Sequence, residues 1–273
     1  MTIQAPTNRT LTTAAYQPPG WLQNPHLQSI LASSSARRHW IAARMPGMQA
    51  ASRRITLNCG DGVRLYAHVS PQPGNPAGRG QVVLIHGWEG CHDSVYLFSM
   101  ASRLWEAGYA IVRLNLRDHG YSHHLNVEPF VSTRLSDTVG ALRDIGRRLP
   151  GGDAPFLMGF SMGGNVALRT ARAATEAGLH IRGLLAVSPA INPLATTQAI
   201  DQGIALYRTY FRRKWARSLQ AKEAAHPGVH ELADMRNTET LEQATALFAP
   251  RFTPYADYRD YLQAYTLTGD GLT

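Results

Sequence analysis

The strongest constraint on the fold of this chain is a serine enclosed by two glycines, Gly159-x-Ser161-x-Gly163. The apolar residues before it are typical of a buried strand, and the residues after it are typical of a helix. A turn this sharp crowds its neighbours, so the flanking positions need residues without a Cβ. It leaves the Ser161 hydroxyl free at a helix N-terminus, where negative charge is stabilised. A serine that only caps a helix would not need both glycines, so the motif predicts a nucleophile.

Strand and helix patterns alternate along most of the chain. Strands are predicted before Ser161 and at residues 53–58, 63–69, 81–85, 109–116 and 181–187. Helices are predicted to begin at Pro25 and to cover residues 93–107 and 132–148. Repeated strand–helix–strand units predict an α/β fold with a mostly parallel sheet and helices on both faces. Chemistry in such sheets collects where the strands end, which here is at residues 86–90, at 117–120 and at Ser161.

The pattern changes near residue 193, after which apolar residues recur at helical spacing and no strand is predicted. We interpret this segment as a helical cap over the strand ends. The predicted organisation is an N-terminal extension with a short helix (1–50), a core (51–192), the cap (193–266) and the start of a return to the core (267–273).

The chain carries a net charge of +8, and 25 of its 27 basic residues are arginine. The first 60 residues contain no acidic residue. A second basic cluster lies in a late helical stretch at Arg208, Arg212, Arg213, Lys214, Arg217 and Lys222. These residues are compatible with solvated helix faces or with attraction to an anionic membrane surface or acidic substrate. No recognition helix or zinc knuckle accompanies them, so we expect no nucleic-acid partner.

The sequence also bears on the compartment of the protein. No apolar run reaches the length of a membrane span, and residues 1–10 lack the apolar stretch of a secretory signal. Cys59 and Cys91 have no metal-ligand spacing and are expected to be reduced thiols. These features predict a cytoplasmic protein.

Several segments resemble those of known proteins. The turn at residues 159–164 and the strand-end pair His86-Gly87 resemble those of the α/β-hydrolase fold. Residues 24–28, 86–90, 210–212 and 265–270, together with Asn165, are similar to the YheT-like family of α/β-hydrolases, and the similarity extends from about residue 20 to the last residue. The resemblance implies hydrolysis of short-chain or lipid carboxylic esters, with no metal and no organic cofactor.

The resemblance also implies roles for individual residues. Ser161 would attack the ester carbonyl and form an acyl-enzyme that water then hydrolyses. The backbone N–H groups of Trp88 and Met162 would hold the oxyanion. His86 and Gly87 would support the oxyanion loop, with His86 as a structural histidine rather than a catalytic base.

The remaining members of a catalytic triad are not evident. In this fold an acid and then a histidine follow the nucleophile, on loops after two further strands. The resemblance places Asp270 just before the first of those strands. We therefore expect the triad Asp and His and the last two core strands to be missing. The chain is then expected to be truncated, inactive and poorly soluble, with residues 181–187 forming an exposed sheet edge.

Other histidines are candidates for a substitute base. His180 comes before the strand at residues 181–187, so it lies at the wrong end of the sheet and is excluded. The others lie in the predicted cap or on a strand-end loop beside Asp118 and Glu128: His226, His230, His119, His123 and His124. For the loop histidines, loop polarity, a substitute base and a metal site all stay open.

Three functions remain open. The first is a serine ester hydrolase acting on a small-molecule or lipid ester through Ser161. The second is a non-catalytic binding or scaffold protein that keeps the cavity and the basic surface. The third is an acyltransferase or thioesterase on the same fold.

Overall fold

The computed structural model describes residues 16–269, and Asp270 and the other residues at the chain ends lie outside this range. The described residues form one sheet of six strands, which are β1 (Arg53–Asn58), β2 (Arg64–Ser70), β3 (Gln81–Ile85), β4 (Ala110–Leu114), β5 (Phe156–Phe160) and β6 (Gly183–Val187). Their order across the sheet is β1-β2-β4-β3-β5-β6. Strands β4, β3, β5 and β6 run parallel, and β1 and β2 form an antiparallel hairpin at one edge. The predicted α/β fold with a mostly parallel sheet is confirmed.

Eleven α-helices lie within the same residues. They are α1 (Pro25–Ala32), α2 (Ser35–Arg44), α3 (Pro46–Ala50), α4 (Val95–Glu106), α5 (Ser136–Arg148), α6 (Met162–Glu176), α7 (Pro193–Gln202), α8 (Ala205–Ala225), α9 (Ala233–Arg236), α10 (Leu241–Phe252) and α11 (Tyr258–Gln263). None of these helices combines the length and the apolarity that crossing a bilayer requires. The predicted start of α1 is correct, because the Asn24 side chain accepts hydrogen bonds from two N–H groups of its first turn.

Helix α5 begins at Ser136 rather than at the predicted residue 132. The backbone of Ser132 is used elsewhere: its N–H donates to the Tyr261 hydroxyl, and its carbonyl accepts from Arg169. Residues 131–134 instead form a turn, closed by the Arg134 N–H and the Val131 carbonyl. A contact with the distant helix α11 therefore overrides the local helical pattern.

The sheet separates two apolar cores, because successive side chains of a strand point to opposite faces. In β3, Val83 and Ile85 face one core together with α5 and α6. Val82 and Leu84 face the other core together with α4. A strand covered on both faces needs apolar residues at every position, and the sequence of β3 meets that requirement.

The N-terminal segment contributes to the second core. The sequence predicts one short helix before residue 50, but the structure has three, α1 to α3. Ile41, Met45 and Met48 are buried against α4 and the sheet. Helices α2 and α3 therefore form part of the hydrophobic core.

Helices α7 to α11 pack around a third apolar core, which includes Leu219, Phe248 and Tyr261. No strand occurs among residues 193–269, in agreement with a helical cap. The exact domain boundaries stay a prediction. Within the described residues β6 pairs with β5 alone, and its Leu185 is 56% exposed, so β6 is an open edge there.

Replacing Met48 tests whether the N-terminal helices stabilise the core. Met48→Ala is expected to lower the free energy of unfolding by about 2–5 kcal/mol, because it empties a fully buried site. Gln49→Ala, at an exposed position of the same helix, is the control and should change it by less than about 0.5 kcal/mol. Urea denaturation measures both, and equal effects for the two variants would contradict the described contacts.

Candidate active site

The turn at Ser161 is strained and closely packed. Ser161 has φ 52° and ψ −122°, a conformation that a residue with a side chain rarely adopts. A Cβ on Gly159 would lie 2.1 Å from the Gly163 carbonyl oxygen, and a Cβ on Gly163 would lie 2.2 Å from the His86 carbonyl oxygen. Both positions therefore require glycine, and Ser161 is left exposed to a cavity at the C-terminal ends of the parallel strands.

Two backbone N–H groups near Ser161 have no acceptor. A Cβ on Gly87 would lie 3.3 Å from the Ser161 Cβ, so the loop after β3 contacts the turn directly. Within residues 16–269, neither the Trp88 N–H nor the Met162 N–H donates a hydrogen bond to the protein. Met162 is the first residue of α6, where such an unpaired donor is expected. The two groups, from different segments, are available to a ligand.

His86 joins the two strand-end loops. Its Nε2 accepts the Leu116 N–H at 3.1 Å, so its proton lies on Nδ1, which donates to the Gly87 carbonyl at 2.8 Å. Burial lowers the pKa of His86 well below its ordinary value and keeps the ring neutral. The ring therefore braces the loop that carries the Trp88 N–H.

His119 is bound in the same way. Its Nε2 accepts the Glu89 N–H at 3.1 Å, and its Nδ1 donates to the Arg117 carbonyl at 2.6 Å. Burial lowers its pKa to about 4. Of the alternatives left open for His119, a substitute base is disfavoured, because the ring is buried and both of its nitrogens already form hydrogen bonds.

The other histidines do not line the cavity in the described part of the chain. His226 and His230 bind the backbone carbonyls of His123 and Val127. The remaining two loop histidines contact hydroxyl groups: His123 contacts Ser218, and His124 contacts Tyr66. His180 precedes β6 and so lies at the opposite end of the sheet. No described side chain forms a hydrogen bond with the Ser161 hydroxyl, and residues 16–269 contain no group of three potential metal ligands.

The cavity has a volume of about 470 Å³ and lies between the strand ends and the cap. Its cap side is mostly apolar and includes Ile200, Phe211, Trp215, Leu219, Phe248 and Leu262. The Trp88 ring stacks on Phe211 and meets the edge of Trp215, with ring centroids 5.9 and 5.2 Å apart. The cap therefore contacts the residue that follows Gly87 in the loop after β3.

Four of the six basic residues of α8 bind the protein, so the helix does not present a fully solvated basic face. Lys222 is buried, and its Nζ lies 2.8 Å from Asp118 Oδ1 and donates to the Asn126 carbonyl at 2.6 Å. Lys214 donates to the Glu89 carbonyl at 2.9 Å. Arg208 and Arg212 also donate to backbone carbonyls, and the other two arginines are exposed.

Glu89 places a carboxyl group in the cavity. Its φ of 55° is unusual for a residue with a side chain, and its carboxyl oxygens accept no hydrogen bond from residues 16–269. Burial raises its pKa to about 8, against the opposing effect of the Lys214 charge. The carboxyl can therefore donate or accept a hydrogen bond at neutral pH. The sequence gives Glu89 no role beyond its place in a family motif.

A protein-family model described as "Alpha/beta hydrolase family" matches residues 82–272. No curated protein is similar enough to the chain to count as a match. Among solved structures, the chain resembles the serine hydrolase CCSP0084 from Cycloclasticus zankles, with 15% identity, coverage of 81% of this chain and 76% of the other, and a TM-score of 0.49.

Two further structures have higher identity over a shorter region. Est1E from Butyrivibrio proteoclasticus, solved with ferulic acid bound, has 23% identity, covers 53% of this chain and 56% of its own, and has a TM-score of 0.44. XC6422 from Xanthomonas campestris, described as a serine hydrolase without a lid, has 25% identity and a TM-score of 0.43. The match covers 51% of this chain and 62% of XC6422. The chain therefore spans less than two thirds of the length of either protein.

Replacing Lys222 tests the attachment of the cap. Lys222→Met is expected to lower the free energy of unfolding by about 3–5 kcal/mol, because it leaves the Asp118 charge buried without its partner. Adding Asp118→Asn should recover part of this loss, because it removes the unpaired charge. Asparagine also tolerates the positive φ of residue 118. Arg172→Met removes an exposed ion pair with Glu176 and should cost less than about 1 kcal/mol. Urea denaturation measures the free energy of unfolding of each variant. If Lys222→Met lowers it by no more than Arg172→Met does, Lys222 does not attach the cap to the core.

Replacing Glu89 tests the burial of its carboxyl. The folded protein holds this proton up to about pH 8, whereas an ordinary glutamate releases it near 4.5. The contribution of Glu89 to stability is therefore full below pH 4.5 and is lost as pH rises through 8. Glu89→Gln should become more stable relative to the wild type between pH 5 and 9, by roughly 2–4 kcal/mol. Glu176→Gln, at an exposed site, should show no such trend, and parallel pH curves for Glu89→Gln and wild type would contradict the shifted pKa.

Proposed function

The chain belongs to the alpha/beta hydrolase family, and from this premise we propose that it hydrolyses carboxylic esters through an acyl-enzyme on Ser161. One observation carries the proposal. A strained serine, exposed to a cavity, stands beside two backbone N–H groups, on Trp88 and Met162, that have no acceptor in the described residues. Strain and unpaired donors at one point are typical of a site that stabilises a transition state.

The proposed reaction is acyl transfer to Ser161 and then to water. The Ser161 oxygen bonds to the ester carbonyl carbon, and its proton leaves with the alcohol when the ester C–O bond breaks. The two N–H groups would bind the oxyanion, and each such donor typically contributes about 3 kcal/mol to transition-state stabilisation. The oxygen of a water molecule then bonds to the acyl carbon, the bond from that carbon to the Ser161 oxygen breaks, and the serine regains a proton as the carboxylic acid leaves.

The first step needs a group that removes the Ser161 proton. His86 and His119 each use both ring nitrogens in hydrogen bonds to the backbone. The proposal therefore assigns neither of them this role. The triad Asp and His expected from the family order also stay unassigned.

The cavity lining supports a largely apolar substrate that also carries polar groups. The apolar side chains of the cap suit an acyl chain or ring, and Glu89 and Lys214 add polar groups to the same cavity. We propose a short-chain or lipid ester on this basis. A cytoplasmic location stays a prediction, compatible with the free thiols of Cys59 and Cys91.

Membership of the YheT-like family is also a proposal. Its support is that the motif residues make contacts between segments. His26, from the first motif, contacts the Tyr207 hydroxyl at 3.0 Å, and Asn165 donates to the carbonyls of Ala190 and Tyr265. These contacts tie α1, the Ser161 helix and the cap together.

A non-catalytic binding protein is the second candidate. The observation that favours it is that no described side chain forms a hydrogen bond with the Ser161 hydroxyl. In this case the cavity, Glu89 and Lys214 would bind a ligand without turnover.

A fluorophosphonate probe distinguishes the two candidates, because it labels only an activated serine. We expect the wild type to be labelled and Ser161→Ala to lose essentially all of the label, because this substitution removes the nucleophile. Ser188→Ala is the matched control, since Ser188 is also exposed, lines the cavity and has a positive φ of 45°. An unlabelled wild type would reject the hydrolase and favour the binding protein.

A further inference from the structure

Helix α1 exposes an apolar row. Ile30 and Leu31 lie three and four residues after Leu27, so the three side chains lie on one side of the helix. All three are exposed, and no residue of α1 is buried. Within residues 16–269, these three side chains keep 37–47% of their surface exposed.

The beginning of α8 exposes a second row. Leu206 and Tyr210 are one helical turn apart, and both are exposed, as is Ile204 just before the helix. Arg213 and Arg217 continue the row at helical spacing and are also exposed. Neither arginine forms an ion pair with a described residue.

The two rows lie beside the opening of the cavity. His26 of α1 contacts Tyr207 of α8, which brings the two helices together. Ser33, directly after α1, and Tyr210 both line the cavity. We call this surface the mouth face, defined by Leu27, Ile30, Leu31, Ile204, Leu206, Tyr210, Arg213 and Arg217.

The segments that form the mouth face contain no acidic residue. Residues 16–60 and 202–222 lack Asp and Glu altogether, and the second of these stretches holds six basic residues. The surface therefore combines exposed apolar side chains with positive charge that is not neutralised locally. An anionic lipid bilayer matches both properties, because apolar side chains enter the headgroup region while arginines bind the headgroups.

We propose that the mouth face docks on an anionic lipid bilayer. Nucleic acid fits less well, because the leucines and isoleucines make no useful contact with phosphates or base edges. A second copy fits less well too, since two surfaces of the same positive charge repel each other. Docking would turn the cavity opening towards the bilayer, and it does not depend on whether Ser161 reacts.

Vesicle flotation tests the arginine contribution. The full chain is mixed with vesicles of phosphatidylcholine alone or of phosphatidylcholine and phosphatidylglycerol at a 7:3 ratio. We expect binding to the anionic vesicles only. Arg213→Gln/Arg217→Gln should weaken it about 30-fold, from roughly fivefold for each cationic side chain. Arg143→Gln/Arg147→Gln is the matched control, an exposed pair of the same spacing on α5 near the opposite end of the sheet.

Single apolar variants test the other half of the surface. Leu206→Ser should weaken binding about tenfold. Val229→Ser is the matched control, since Val229 is 55% exposed and Leu206 is 57% exposed. It should leave binding unchanged, because Val229 lies beyond the C-terminal end of α8, away from the mouth face. Binding by Leu206→Ser equal to that by Val229→Ser would overturn the proposal.

Three further outcomes would also overturn it. They are no binding to anionic vesicles, equal losses for the two arginine pairs, and a dimer in solution that Leu206→Ser dissociates. Tighter binding to a DNA duplex than to vesicles would favour nucleic acid instead. Ser161→Ala should bind vesicles like the wild type, so a failure of the hydrolase proposal is distinguishable from a failure of docking.

Discussion

The close approach of the first turn of α6 to the end of β3 determines the geometry of the whole site. A Cβ at Gly163 would collide with the His86 carbonyl oxygen, so only glycine allows the two backbones to meet. This contact puts Ser161 beside Gly87 and places two N–H groups, on Trp88 and Met162, near one serine. The same backbone segment carries His86, whose Nε2 accepts the Leu116 N–H and so joins the loop after β3 to the loop after β4.

The cap contributes to the site mainly through one long helix, α8. Lys222 and Lys214 of α8 bind the loops after β4 and β3, and Phe211 and Trp215 hold the Trp88 ring. The orientation of the Trp88 N–H therefore depends on both the sheet and the cap. The beginning of the same helix forms part of the mouth face, so α8 contributes residues to both that surface and the cavity.

Local sequence was sufficient to predict the sheet and the turn at Ser161, because both depend on spacing along the chain. The apolar run of β3 and the two glycines around Ser161 are examples. Helices α2 and α3 were missed because each of these short helices contains one buried residue, Ile41 or Met48, and a third, Met45, lies between them. The role of Lys222 was missed for another reason: its partner Asp118 is 104 residues away, and only tertiary structure brings them together. The burial of His119 depends on long-range contacts in the same way.

In the proposed reaction, Ser161 and the two N–H groups act together on one carbonyl group. A crystal structure of the protein after reaction with an organophosphonate ester is a stringent test, because the bound phosphonate resembles the tetrahedral intermediate. We expect a covalent bond from phosphorus to the Ser161 oxygen, with one phosphonate oxygen about 3 Å from the backbone nitrogens of both Trp88 and Met162. An adduct on a different residue, or an oxygen that points away from both nitrogens, would contradict it.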